Sequence, residues 1–215
     1  LANAVGVLLT GLLISHHIET SHPLVLLDGN RPGVGKTLFV RTVGMLLDGC
    51  EPIAMTFTTD GEELEKRIGA GIRQSKSRCF LFDNARVPVG QVIGNDSLES
   101  KSIMPIITTR ILGRSENISR PNDMLWFLTM NDTKTNLDVL SRSLAIRFRC
   151  DGNPAEREFS FDPVEYARSH RIEILAELVS MVLVWRQHGA DSKARKHRLP
   201  SWARMIGGIL DHNGQ

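Results

Sequence analysis

The sequence predicts an α/β fold, a parallel sheet with helices on both faces, followed by a small C-terminal helical subdomain. Three observations carry this. Short, continuously apolar runs recur at Leu24–Leu27, Cys79–Phe82 and Met124–Met130, as in strands buried on both faces. Helical patterns separate these runs, the alternation that builds a parallel sheet. At Asp162-Pro163 the composition shifts, and only helical patterns follow.

Taken in order, residues 1–19 are apolar nearly all round and predict a helix buried against the next unit. Leu24–Leu27 is the first strand, ending at Asp28-Gly29. A glycine-rich turn leads into a helix over 37–48 that Gly49 stops. Ile53–Thr58 reads as the second strand. Asp60 and Glu63 form a capping-box pattern opening a helix to about Gln74. Cys79–Phe82 is the third strand and closes on Asp83. Residues 85–96 read as loop, Ser97 to about Thr108 as a helix broken near Pro105, and 109–123 as a hairpin or excursion. Met124–Met130 and Leu144–Phe148 complete the sheet. Asp162 as N-cap with Pro163 at N1 starts a long helix that Gly189 ends, and a last helix begins at Ser201.

The 215 residues fit one α/β domain with an appendage, divided here as an N-terminal helix (1–19), a core (20–150) and a helical subdomain (151–215). An apolar fraction of 41% with 23% charged residues excludes intrinsic disorder and fibrous structure. The net charge of +2 is too small to announce nucleic acid, so such a partner must be argued from local clusters. Three cysteines without a C-x-x-C pair argue against a disulfide framework or zinc ribbon and for a cytoplasmic setting. Val5–Ile14 is too short to span a bilayer, and no signal-peptide pattern is present. A start at Leu1 and an end just after a helical pattern read as a piece of a longer chain.

The chemistry begins between the first strand and its helix. Asn30-Arg31-Pro32-Gly33-Val34-Gly35-Lys36-Thr37 matches the P-loop pattern G-x-x-x-x-G-K-[ST] except at its first position. Backbone N–H groups must close around phosphate oxygens, which calls for glycine at Gly33 and Gly35. Lys36 supplies a charge for the β- and γ-phosphates, and the Thr37 hydroxyl reaches Mg²⁺. The helix running on through Leu38 directs its positive end at the same phosphates. Asn30 stands where glycine is usual, and asparagine is the residue that best tolerates left-handed backbone angles after glycine. Asp83, at the end of the third strand, is placed to hold Mg²⁺ through water. Asn84 follows where a hydrolytic P-loop enzyme commonly carries the glutamate that activates water. An amide takes no proton at neutral pH, although it can orient water, so either hydrolysis is slow or the base comes from elsewhere.

These residues resemble the AAA+ ATPases, whose Walker A and Walker B elements the P-loop and Asp83 match. Phe127–Asn131 resembles the sensor-1 strand, which implies that Asn131 touches the γ-phosphate or the attacking water. Asp138–Arg142 ends in an arginine similar to the finger that reaches a neighbouring subunit's nucleotide. A narrower resemblance is to the superfamily-3-helicase-like ATPase domain of phage and mobile-element primase-helicase proteins. It rests on Phe82-Asp83-Asn84, Arg110–Gly113, Thr129–Asp132, Asp138 with Arg142, the Pro154 region and Trp202–Gly208. The resemblance implies a P-loop NTPase fold of AAA+ type, ATP and Mg²⁺ as cofactors, and a homo-oligomeric ring that shares its nucleotide sites.

Other residues carry weaker signals. Arg147, in an alternating strand, is a rival to Arg142. Arg110, Arg114 and Arg120 flank the excursion before the sensor strand, where related helicases line a pore, and one of them could contact DNA phosphates. The basic run Lys193–Arg198 reads either as a nucleic-acid patch or as a solvated loop, and it lacks interleaved aromatic residues. His16-His17 reads as structural, and Trp126 and Trp185 as core. Three functions compete: an ATP-driven motor on DNA, an ATP-dependent protein-remodelling or assembly switch with weak hydrolysis, and a small-molecule kinase. The last needs an arginine-rich lid, and the apolar stretch Val164–Trp185 reads as too buried for one.

Overall fold

The computed structural model describes residues 1–14, 16, 18, 21–74, 76–88, 92–94, 96–110, 117–131, 134–190 and 196–214. The first half holds α1 (Ala2–Leu13), β1 (Leu24–Gly29), α2 (Lys36–Asp48), β2 (Ile53–Thr56), α3 (Gly61–Gln74), β3 (Cys79–Ala85) and α4 (Asp96–Ile103). There follow β4 (Ile106–Arg110), β5 (Asn117–Pro121), β6 (Leu125–Asn131), α5 (Leu137–Ser141) and β7 (Ser143–Phe148). After a single 3-10 turn at Pro154–Glu156 come α6 (Pro163–Ser169), α7 (Arg171–Gln187) and α8 (Pro200–His212).

Five strands pair in parallel in the order β2-β3-β6-β1-β7, and β4 with β5 forms a separate antiparallel hairpin. This is a P-loop NTPase-like α/β fold. The central strands alternate their side chains between two apolar layers, so each reads as a continuous apolar run. Leu24, Leu26, Phe80, Phe82, Trp126 and Leu128 face one layer, closed by Leu64, Ile68 and Leu98 of α3 and α4. Val25, Leu27, Cys79, Leu81, Leu125 and Phe127 face the other, closed by Val7 of α1 and by Val40, Val43 and Leu47 of α2. Gly11 makes that second contact possible, because a Cβ there would lie 2.2 Å from a Leu47 methyl and 2.6 Å from one of Leu125.

A third layer joins α1 to the C-terminal helices through Leu9, Leu13, Leu178, Val182, Trp202 and Ile206. The Trp202 indole donates to the Thr10 hydroxyl at 3.0 Å, which satisfies a buried polar pair between α8 and α1.

Two of the expected helices differ in extent. The helix expected through Thr108 ends at Ile103, and Pro105 introduces β4 rather than a kink. The hairpin follows as expected, with its tip outside the described residues. The helix expected from Asp162 to Gly189 is two helices. The Asp162 carboxylate caps the first by accepting from the N–H groups of Val164 and Glu165, and the chain turns at His170 before the second. That second helix, α7, is not enclosed: Leu178 and Val182 are buried, but Ile172 is 78% exposed and Leu183 51%. Trp126 is core as expected, whereas Trp185 is only partly buried.

The hairpin is fastened to the sheet by Asn122. Its buried amide donates to the carbonyls of Lys101, Ser102 and Met104 and accepts from the Trp126 indole. The Asn122 carbonyl in turn meets Nε2 of His22, an imidazole 1% exposed whose Nδ1 has no partner among the described residues. Burial pushes the His22 pKa down to about 4, against smaller upward pulls from the Asn122 and Pro23 backbone and from the Asp123 charge. The folded state therefore keeps His22 neutral while the unfolded chain protonates it below its ordinary value of 6.5. Stability from this site is present above pH 6.5 and is lost as pH falls towards 4, by about 3 kcal/mol in all. Urea unfolding of wild type and His22→Gln from pH 7.5 to 4 tests this: the wild-type midpoint should fall more steeply across that window, and parallel curves would refute it.

Candidate functional site

The carboxyl ends of β1, β3 and β6 lie side by side, and the loop after β1 runs into α2 at the same edge of the sheet. Ligands of open parallel sheets collect at this edge. Gly33 and Gly35 take positive φ values of 77° and 105°, which a side chain would resist, and Gly35 is the N-cap of α2. Val34 is buried, while Pro32 and Gly33 face solvent. Leu38, in the first turn of α2, packs against the cluster of Met45, Leu46 and Val164.

Lys36 opens α2 and is 7% exposed. Its ammonium donates to Oδ1 of Asn131 at 2.6 Å, so the structure brings these two predicted residues together. Burial lowers the Lys36 pKa, and the charges of Asp28 and Asp83 pull it back up. The Thr37 hydroxyl lies 3.2 and 3.3 Å from the two Asp83 carboxylate oxygens. A hydroxyl beside a carboxylate is a hard-oxygen pair suited to Mg²⁺, which takes one or two protein ligands and fills its shell with water and phosphate. Thr37 and Asp83 are thus the residues that could hold it. No group of three or more His, Cys, Asp or Glu side chains that could hold a metal ion exists among the described residues.

Asn30 departs from expectation. Its φ is not positive, and it does not stand in for a flexible glycine. Its side chain instead bonds Cys150 twice, donating to the carbonyl at 3.0 Å and accepting from the N–H at 3.1 Å. The left-handed asparagine is Asn84, with φ of 55°, where the β3–β6 register shifts between Phe82 and Ala85. Such a bulge re-aims side chains at a strand end. The Asn84 amide is exposed, and its oxygen accepts from Nε of Arg86 at 3.1 Å.

Two residues were missed from sequence. Thr129 of β6, 1% exposed, donates its hydroxyl to Asp83 and accepts the Asn84 N–H at 2.8 Å, fixing both neighbours. Its signal was a hydroxyl on a strand otherwise apolar to its last residue. Asp28 is buried at the end of β1, where its carboxylate accepts from the Gly29 N–H at 2.8 Å and from Nε of Arg147 at 3.1 Å. Its signal was an acid closing a buried strand one turn before the P-loop.

Arg142 lies away from this group, ion-paired to Asp138 at 3.0 Å, and Arg198 shares that carboxylate. Arg147 is turned onto its own chain's Asp28. Arg120 pairs with Asp123 at 2.6 Å. The Arg110 side chain, Arg114, His17, Lys193 and Arg195 lie outside the described residues. Of the basic run's end, His197 packs on Trp202 and Arg198 binds α5.

No family model matches the chain, and no curated protein does. Among solved structures, a JCV helicase bound to a thiazolopyridine-bearing phenoxyphenyl acetamide aligns over 99% of this chain and 60% of its own, with 15% identity and a TM-score of 0.49. Another JCV helicase structure aligns over 100% and 60%, with 14% identity and a TM-score of 0.42. An inhibitor-bound JCV helicase aligns over 86% and 54%, with 14% identity and a TM-score of 0.39. The chain thus spans less than two thirds of the structures it matches. No helix among the described residues is long and apolar enough to cross a membrane.

The left-handed backbone at Asn84 gives a test independent of activity. Asn84→Gly should leave the urea midpoint unchanged or raised. Asn84→Glu should cost about 1 kcal/mol, because a longer side chain lacks asparagine's tolerance of this region. Equal stabilities would remove the strain argument.

Proposed function

We propose that this chain is an ATP-binding and ATP-hydrolysing motor domain of AAA+ type that acts on DNA, in the replication of a phage or mobile element, as a ring of subunits. The observation that carries the reading is the convergence of Lys36, Thr37, Asp83 and Asn131 from α2, β3 and β6 on one glycine-lined loop end. Lys36 holds the β- and γ-phosphates with the loop N–H groups. Thr37 and Asp83 hold Mg²⁺, which when bound neutralises charge on the phosphate oxygens. Asn131, freed from Lys36 by the incoming phosphate, bonds the γ-phosphate or the attacking water. Thr129 keeps Asp83 aimed. Catalysis here is positioning and charge neutralisation, without a covalent intermediate.

Arg142 completes the site of the next subunit in this reading, for which it leaves Asp138. The β4–β5 hairpin, with Arg110, Arg114 and Arg120, is the surface offered to DNA, and the Lys193–Arg198 run is a second one. One observation favours the alternative of an ATP-dependent remodelling or assembly switch: Asn84 offers no base, and its amide is engaged by Arg86. Weak turnover by the lone chain follows from either reading.

Titration with a fluorescent ATP analogue and Mg²⁺ tests the foundation. Lys36→Ala, folded by circular dichroism, should lose binding, and retained binding would sink the reading.

Assembly separates motor from switch. Arg142→Ala should bind ATP as wild type does while losing most assembly-dependent hydrolysis, since a finger contributes about 10³–10⁵ in rate. Mixing Arg142→Ala with Lys36→Ala subunits should restore part of that rate, because some interfaces then pair an intact P-loop with an intact finger. A wild-type rate per subunit that ignores concentration, with no rescue on mixing, would overturn the shared site.

A further inference from the structure

The segment after β7 runs beside the phosphate loop, hydrogen-bonded to it at three of its residues and close to it at a fourth. Cys150 binds Asn30, and the Gly152 carbonyl accepts from Arg31 at 3.1 Å. Pro154 sits 3.6 Å from where a Cβ on Gly33 would stand, and Arg157 donates to the Val34 carbonyl at 3.1 Å. The last of these leaves a debt. Nε of Arg157 is enclosed and has no partner among the described residues, although buried donors are nearly always satisfied. The same guanidinium lies 5.1 Å from the ring centre of Phe159, which is 62% exposed. A phenyl ring is thus held out in solvent beside the P-loop, one face backed by a cation fastened to that loop.

We propose that Phe159 and Arg157 form the base-binding part of the nucleotide site. The purine stacks on the open face of Phe159, and Arg157 beneath it fixes the ring relative to Val34. This rests on the reading of the P-loop as an ATP site and names the half of that site the phosphate residues leave unassigned. Lys36, Thr37 and Asp83 recognise only phosphate and metal, and would take any triphosphate. Stacking on an aromatic face is sequence-tolerant among bases and contributes about 1–3 kcal/mol per base, or roughly 5- to 150-fold in affinity. Backing by a guanidinium suits this use, since it restrains the ring and adds a cation–π contact.

Calorimetric titration of the whole chain with Mg²⁺-ATP and with Mg²⁺-tripolyphosphate, which has the phosphates but no base, tests the assignment. Wild type should prefer ATP. Phe159→Ala should weaken ATP about tenfold and leave tripolyphosphate within about twofold, and Phe159→Trp should restore ATP affinity. Three outcomes overturn it: equal ATP affinity in wild type and Phe159→Ala, equal losses for both ligands, or no wild-type preference for ATP. In each of these the phosphate site still stands. Wild type that takes up neither ligand would instead remove the phosphate site itself, and this proposal with it.

Discussion

Enclosing the Lys36 ammonium is the constraint on which the rest of the site depends. A nearly buried cation loses hydration, and the chain meets that cost with Asn131 in direct contact and with the charges of Asp28 and Asp83 nearby. Those three residues lie at or near the carboxyl ends of β6, β1 and β3, so the compensation exists only where these strands are neighbours. Sheet order and local electrostatics are therefore one condition. In the ATP site proposed above, a phosphate entering the loop would meet a charge already positioned, the form of electrostatic preorganisation that costs nothing at the moment of reaction.

Around that lysine the polar atoms are chained. Thr37 and Thr129 both address Asp83, and Thr129 also takes the N–H of Asn84. The bulge that tips Asn84 into a left-handed conformation is thus held from the adjacent strand. Strain of this kind persists where surrounding structure over-determines it. The side chain it displays is neutral and bound to Arg86.

Much of this was legible in the sequence, and the exceptions have physical reasons. The buried strands announced themselves because both faces are apolar, and the turn into α2 because Gly33 and Gly35 supply the positive φ it needs. The break at His170 was invisible because residues on either side of it have good helical patterns and the turn is decided by packing of α6 on α2. Asn30 was misread because its type suits two tasks, a left-handed turn and a side-chain clamp, and only a partner 120 residues away decides between them. Thr129 escaped because one hydroxyl in an apolar strand has no periodicity. α7 looked enclosed because its apolar residues circle the helix, yet only one side of it finds neighbours.

The grip of the post-β7 segment on the phosphate loop also sets an order of events. Its hydrogen bonds join residues 120, 121 and 123 positions apart. A ribosome adding about 5–20 residues per second needs on the order of 6 to 24 s to cover that distance. For that interval the nascent phosphate loop exists without Cys150, Gly152 or Arg157 to hold it. β7, which pairs with β1, is made only just before them. The last core strand and the grip on the loop therefore arrive together, and a half-made chain carries that loop unclamped.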